Sequence, residues 1–398
     1  MKYAKWGVPK NVQLCTKCVI SNQRPSSVIE YENGEKEIKP TIVFNKDGVC
    51  SACTYHEKKY NSIDWNKREK ELIALCDKYR KTDGSYDVLV PASGGKDSIY
   101  VAHILKYKYG MNPLTVTWAP HAYTDIGREN FENMIAEFDN ILVTPNSNVH
   151  RKMTQLSFKN LLHPFQPFMI GQKNLAPKIA IEKDIKFIMY GENTVEGGSL
   201  MDANDPLMPA HFFAKPESKI KDISLGGVPY KDLINHGINE KHLNIYLPVS
   251  LEKFKEKKVE VHYMSYYRLW DPQEHYYYAS ENCNFQSNNE RSEGTYSKYA
   301  SLDDKIDGFH YYTTYIKYGL GRCSYDASQE VRNRHITREE AVALVRKFDG
   351  EFPEKNFKFF LDYIDIEEKE FFDIINKSRS PNLWENKGEN YVLKNKLI

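Results

Sequence analysis

The stretch Tyr86-Asp87-Val88-Leu89-Val90-Pro91-Ala92-Ser93-Gly94-Gly95-Lys96-Asp97-Ser98 constrains the fold more than any other part of the chain. Val88 to Val90 are aliphatic without polar alternation, as expected of a strand buried on both faces of a parallel sheet. Ile99-Tyr100-Val101-Ala102-His103-Ile104-Leu105 then resumes with helical spacing. A strand, a tight turn and a helix therefore follow one another. Gly94 and Gly95 are expected to take backbone angles that a side chain would forbid, so that successive amide N–H groups face an anion at the positive end of the helix. Ser93 and Ser98 add hydroxyl donors, and Asp97 suits a magnesium ion held against phosphate oxygens.

The turn is not a Walker A loop, because Gly-x-x-x-x-Gly-Lys-[Ser/Thr] is absent. Ser-Gly-Gly-Lys-Asp-Ser instead resembles the PP-loop of the ATP pyrophosphatase superfamily, which grips the β,γ-pyrophosphate of ATP and leaves AMP on a substrate oxygen. The resemblance implies ATP as substrate and adenylation rather than phosphoryl transfer, with Ser93, Lys96 and Asp97 as catalytic residues and Gly94, Gly95 and Ser98 gripping the phosphates.

Downstream, Leu114 to Trp118, Ile141 to Thr144 and Phe187 to Tyr190 read as further strands separated by helical stretches. This alternation predicts a doubly wound α/β sheet with ligands at the carboxyl ends of its strands. Trp118, Gly191, Glu192 and Asn193 then point toward the crevice of Ser93. Trp118 reads equally as a core aromatic or as a partner of the adenine.

Ahead of the sheet, Cys15-Thr16-Lys17-Cys18 and Cys50-Ser51-Ala52-Cys53 supply four soft thiolates at a spacing that suits structural zinc, a redox dithiol being the alternative. Between them, Ile38 to Phe44 reads as a strand and Glu30 to Lys39 as an inserted hairpin. Metal-type cysteine usage predicts a reducing compartment, the cytoplasm, and no run approaches transmembrane length. With 55 basic and 54 acidic residues the net charge is +1, which leaves no excess for a nucleic-acid backbone or an anionic membrane. A small-molecule substrate is expected.

From about Pro206 the alternation fades into helical, aromatic-rich sequence, read mainly as core. The divisions expected are 1–62 (zinc knuckle), 63–205 (ATP-binding sheet) and 206–398 (helical substrate or partner region). Thr337 and Glu340 form a capping box for the helix at Ala341 to Lys347. Lys317, Arg322, Asp326 and Arg332 carry both charge signs around Gly319 and Gly321, consistent with an acidic sugar, with phosphates or with surface ion pairing.

Taken together, the paired Cys-x-x-Cys units, the Asp64-Trp65 helix start, Ser-Gly-Gly-Lys-Asp-Ser, Tyr190-Gly191-Glu192-Asn193, the aromatic segment ending at Trp270-Asp271 and Ile316-Lys317-Tyr318-Gly319-Leu320-Gly321-Arg322 resemble the N-acetyl sugar amidotransferases. These PP-loop proteins make acetamidino sugars for O-antigen or flagellin glycans, as in the pseudaminic acid type. The resemblance implies that an N-acetyl sugar, met by Glu192, Asn193, Trp270, Lys317, Arg322, Asp326 and Arg332, is adenylated on its acetamido oxygen and then aminated. A separate glutaminase subunit is expected, since Lys2 follows Met1, Cys76, Cys283 and Cys323 lack the flanking glycines of a nucleophile elbow and the other four cysteines are assigned to zinc; the resemblance points the same way. A tRNA thiolase and a non-catalytic ATP sensor are the competing classes.

Overall fold

The computed structural model describes residues 3–26, 29–388 and 390–395; Lys2, used in the glutaminase argument, lies outside them. Five strands, β1 (Val88–Pro91), β2 (Pro113–Trp118), β3 (Asn140–Val143), β4 (Phe187–Tyr190) and β5 (Glu260–Tyr263), form one sheet in the order β3-β2-β1-β4-β5. Every pairing is parallel. Strand order reverses between β1 and β4, which is where an open α/β sheet opens its ligand crevice.

The aliphatic run of β1 is buried on both faces because its neighbours alternate. Leu89 joins a core with Leu114, Val116 and Ile188 under α5 (Ser147–Leu161) and α6 (Gln166–Lys183), whereas Val88 and Val90 join Phe187 and Met189 on the opposite face. That second face is covered by α2 (Trp65–Tyr79), α3 (Lys96–Tyr107) and α4 (Asp125–Ile135). The side chain of Asp64 caps α2 by accepting the Lys67 N–H, as its sequence position predicts.

The expected segment 63–205 supplies β1 to β4, and the fifth strand comes from 260–263. Sequence reading missed β5 because Glu260 and His262 break its apolar pattern at the edge of the sheet. Beyond it lie α7 (Pro272–Asn282), α8 (Asp307–Tyr318), α9 (Arg322–Arg332) and α10 (Arg338–Phe348), the last opened by the Thr337–Glu340 capping box. The aromatics of this half are largely core: Phe309 stacks on Phe360 with centroids 4.1 Å apart, and Phe158 stacks on Phe371.

Two local expectations are corrected. Ile38 to Phe44 makes only isolated bridges, Pro25 with Thr41 and Phe44 with Cys50, and is no strand. Glu30 to Lys39 is a single 3-10 turn (Glu30–Glu32) followed by a loop, not a hairpin. Its ends turn inward instead of pairing: Glu30 meets His163 at 3.3 Å, and the Lys39 ammonium donates to the carbonyls of Trp6 and Gly34.

Candidate active site

Gly94 is dictated by packing. Its φ is +92°, and a Cβ there would stand 2.7 Å from the Phe131 amide nitrogen of α4. Gly95 is different from the expectation, since as N-cap of α3 it has an ordinary φ of −73° and nothing nearer to a Cβ than Ser93 Oγ at 3.6 Å. No special backbone angle and no packing contact demands a glycine there. Gly94→Ala is therefore expected to lower stability by about 1–3 kcal/mol in thermal unfolding, the cost of forced strain, whereas Gly95→Ala stays within about 0.5 kcal/mol of the parent.

Asp97 opens the first turn of α3, with Oδ2 2.5 Å from the Lys96 ammonium and Oδ1 2.8 Å from His275 Nδ1. Partial enclosure by the cavity walls pushes this half-exposed carboxyl up, but Lys96 and His275 outweigh it and hold Asp97 well below the usual carboxylate range. His275 was not legible in the sequence. It reaches the loop from α7, stacked on Tyr100 at 4.1 Å and edge-on to Trp270 at 4.2 Å, and burial pushes its pKa down against the pull of Asp97. Ser98 turns its hydroxyl to its own turn, donating to the Gly95 carbonyl at 3.0 Å, and does not line the cavity.

A cavity of about 830 Å³ opens beyond the loop, and Ser93, Gly94, Gly95, Lys96, Asp97 and Glu192 all line it. Several expected site residues lie elsewhere. Trp118 is buried against α6, where a Cβ on Gly171 would meet its indole at 2.3 Å, so it belongs to the core and not to an adenine site. Trp270 is 1% exposed and supports His275 from behind; Gly191 is required by that tryptophan, whose ring a Cβ would meet at 2.7 Å. Asn193 is turned inward, its Oδ1 accepting the Val195 N–H and its own N–H donating to Ser265 Oγ at 2.8 Å. These three fix the strand exit from which Glu192 projects.

Facing the loop is a cationic wall. Arg322 and Arg332 come from the two ends of α9, Lys317 from α8, and Arg24 lies 4.7 Å over the ring of Tyr325. Asp326 orients Arg322, with Oδ1 2.9 Å from its Nε, and accepts from Thr295. Arg332 is 7% exposed, and its Nε and Nη1 have no hydrogen-bond partner among the described residues. Burial, then the nearby Lys39, pushes Lys317 down to about 7. A strap around Tyr296 to Asp303 closes the loop side: Thr124 N–H donates to the Asp303 carbonyl, and Tyr299 lies 5.7 Å from the Lys96 ammonium. Nothing in the local sequence of this strap announces its position, which depends on contacts with α4.

Cys15, Cys18, Cys50 and Cys53 are buried together, all four sulfurs within 4.8 Å of one another. Cys15 and Cys53 sulfurs are 3.9 Å apart and Cys18 and Cys50 sulfurs 3.7 Å. Four thiolates about 2.3 Å from one tetrahedral ion stand about 3.8 Å from each other, so the set fits a single such metal. Backbone N–H groups of Cys18 and Cys50 point at Cys15 Sγ, as sulfurs carrying negative charge require. Hydrogen bonding from Cys18, and then from Cys50 and Cys53, pushes the Cys15 thiol far down, while the same crowding pushes Cys53 up. Only a cation lets all four ionise.

Residues 293–397 match the family model described as LPS biosynthesis protein WbpG-like, C-terminal domain. That match agrees with the resemblance to the N-acetyl sugar amidotransferases, and the matched residues include Arg322 and Arg332 of the cavity wall. No curated protein matches. Among solved structures, the U34-tRNA thiolase NcsA from Methanococcus maripaludis with its 4Fe-4S cluster aligns over 81% of this chain and 88% of that chain, at 15% identity and a TM-score of 0.29. The fold assignment rests on the sheet order and the loop, not on that alignment. Among the described residues, no helix is long and apolar enough to cross a membrane.

Proposed function

We propose that this chain, whose residues 293–397 match the WbpG-like C-terminal domain model, is the ATP-dependent synthetase subunit of an N-acetyl sugar amidotransferase for LPS biosynthesis. The observation that carries this reading is that the PP-loop and the cationic wall of the WbpG-like domain line one cavity of about 830 Å³, room for a nucleotide and a sugar side by side.

The acetamido oxygen of the sugar attacks the α-phosphorus of ATP; a P–O bond forms, the bond to the β-phosphate oxygen breaks, and pyrophosphate leaves. Ammonia then adds to the activated carbon, the C–O bond breaks, and AMP leaves an acetamidino group. Adenylation is needed because an amide oxygen is a poor leaving group. Ser93 and the amides of Gly94 and Gly95 face the departing pyrophosphate, with Lys96 beside them. Magnesium, when bound, would neutralise phosphate charge, and Asp97 is the carboxylate placed to hold it. Arg332 and Arg322 suit an acidic sugar or the phosphates of a nucleotide-linked one, since a buried, unpartnered guanidinium calls for an anion. Zinc is the ion that best suits the closed four-thiolate knuckle, in a structural role.

The remaining cysteines support neither a thiolase nor an internal glutaminase. Cys76 and Cys283 are buried with thiols pushed up to about 12, Cys323 is pushed up likewise, and none of the three lines the cavity. A nucleophilic cysteine needs the opposite shift. Ammonia is therefore taken from a separate glutaminase subunit. With ATP, magnesium and acceptor sugar, the isolated chain is expected to form product from an ammonium salt and none from glutamine; equal product from glutamine would overturn the partner assignment.

A further inference from the structure

We propose that Glu192 is the proton acceptor of the ammonia step, its carboxylate taking a proton from the nitrogen that has just joined the activated carbon. This rests on the amidotransferase reading above. A nitrogen that adds as ammonia carries a surplus proton and departs again as readily as AMP until that proton is removed. Once Glu192 has taken it, the C–O bond breaks, AMP leaves with its electron pair, and the carboxyl returns the proton to solvent.

Geometry selects this residue from the carboxylates that line the cavity. Glu30 is engaged by His163, Asp97 by Lys96 and His275, Asp326 by Arg322, and Glu330 by His335. Asp303, like Glu192 in no ion pair among the described residues, lies beside Ser93 on the pyrophosphate side of the loop, away from the exit of β4. Glu192 faces the cavity at the exit of β4, apart from the loop, and forms no ion pair among the described residues. Its backbone is held by the inward-turned Asn193, so the carboxylate keeps its place while remaining free to react.

The surroundings fit the task. Glu196 is locked behind it, 2.9 Å from Lys59 Nζ and 3.0 Å from His56 Nε2. Glu192 is open to the cavity, and partial enclosure by the cavity walls, followed by the Glu196 and Asp97 carboxylates, raises it to about 7 against the opposing pull of Arg24 and Arg332. A carboxyl raised in this way is a base only above that value, so the ammonia step should quicken as pH rises through about 7.

The test uses the full chain with ATP, magnesium, ammonium chloride and a panel of N-acetylated uronic acids, free and nucleotide-linked. For Glu192→Gln, the ratio of acetamidino product to pyrophosphate should fall by about 10²-fold or more, the usual worth of a positioned base. At constant free ammonia, the pH limb near 7 should vanish. Formate should restore part of the product in Glu192→Ala, which a purely structural role would not allow. An unchanged product-to-pyrophosphate ratio and an unchanged pH limb in Glu192→Gln would overturn the assignment while leaving the amidotransferase intact. No pyrophosphate from the unaltered chain with any acceptor would instead overturn the amidotransferase reading itself, and this inference with it.

Discussion

Asp97→Ala is expected to reduce pyrophosphate release by at least about 10²–10³-fold, the scale seen when one preorganised electrostatic contact to a transition state is deleted. The reason is the position of the carboxylate, at the start of α3 beside the loop, kept ionised by Lys96 and His275. Loss of Asp97 removes the only acidic side chain in that first turn and frees Lys96 from its partner. The side chain is 40% exposed, so its removal leaves no buried void and folding should survive. Circular dichroism and thermal unfolding of the variant check the fold, and pyrophosphate assay checks the chemistry. Near-normal turnover by a folded Asp97→Ala protein would remove the loop from the mechanism.

Cys50→Ser should have an equally large effect on structure. Metal binding at a closed four-thiolate site contributes an apparent ~10–16 kcal/mol near neutral pH, far more than the stability of a typical domain. The knuckle here holds α1 (Ser51–Asn61), which delivers His56 and Lys59 to Glu196 just behind Glu192. Its loss should therefore disorder the N-terminal segment and reach the cavity as well. About one zinc per chain is expected in purified protein, with Cys15 and Cys50 protected from alkylation until a chelator is added. Freely alkylated thiols and no bound metal in reduced protein would reject the site.

How much of this was legible depends on whether the governing contacts are local. The helix caps at Asp64 and Thr337 and the cysteine pairs are short-range patterns, and the structure assembles each as its residues imply, while the loop does so at Gly94 but not at Gly95 or Ser98. The failures are long-range. Gly191 and Trp270 read as site residues from their places near a strand end and in an aromatic motif, yet they are required by one another, through a close contact between residues far apart in sequence. Trp118 pairs in the same way with Gly171. His275 sits inside the run Glu274-His275-Tyr276, where nothing marks it as the partner of Asp97. The edge strand β5 has too mixed a pattern to be read without its neighbour β4.

The central claim is that ATP activates the acetamido oxygen of a sugar. It is tested most directly by supplying an acceptor whose acetamido oxygen is isotopically heavy, together with ATP, magnesium and ammonium, and measuring the masses of the nucleotide and the sugar. The expected result is AMP carrying the heavy oxygen on its phosphate, pyrophosphate in equal amount, and a sugar in which nitrogen has replaced that oxygen. Heavy oxygen retained in the sugar, or ADP and inorganic phosphate in place of AMP and pyrophosphate, would contradict it.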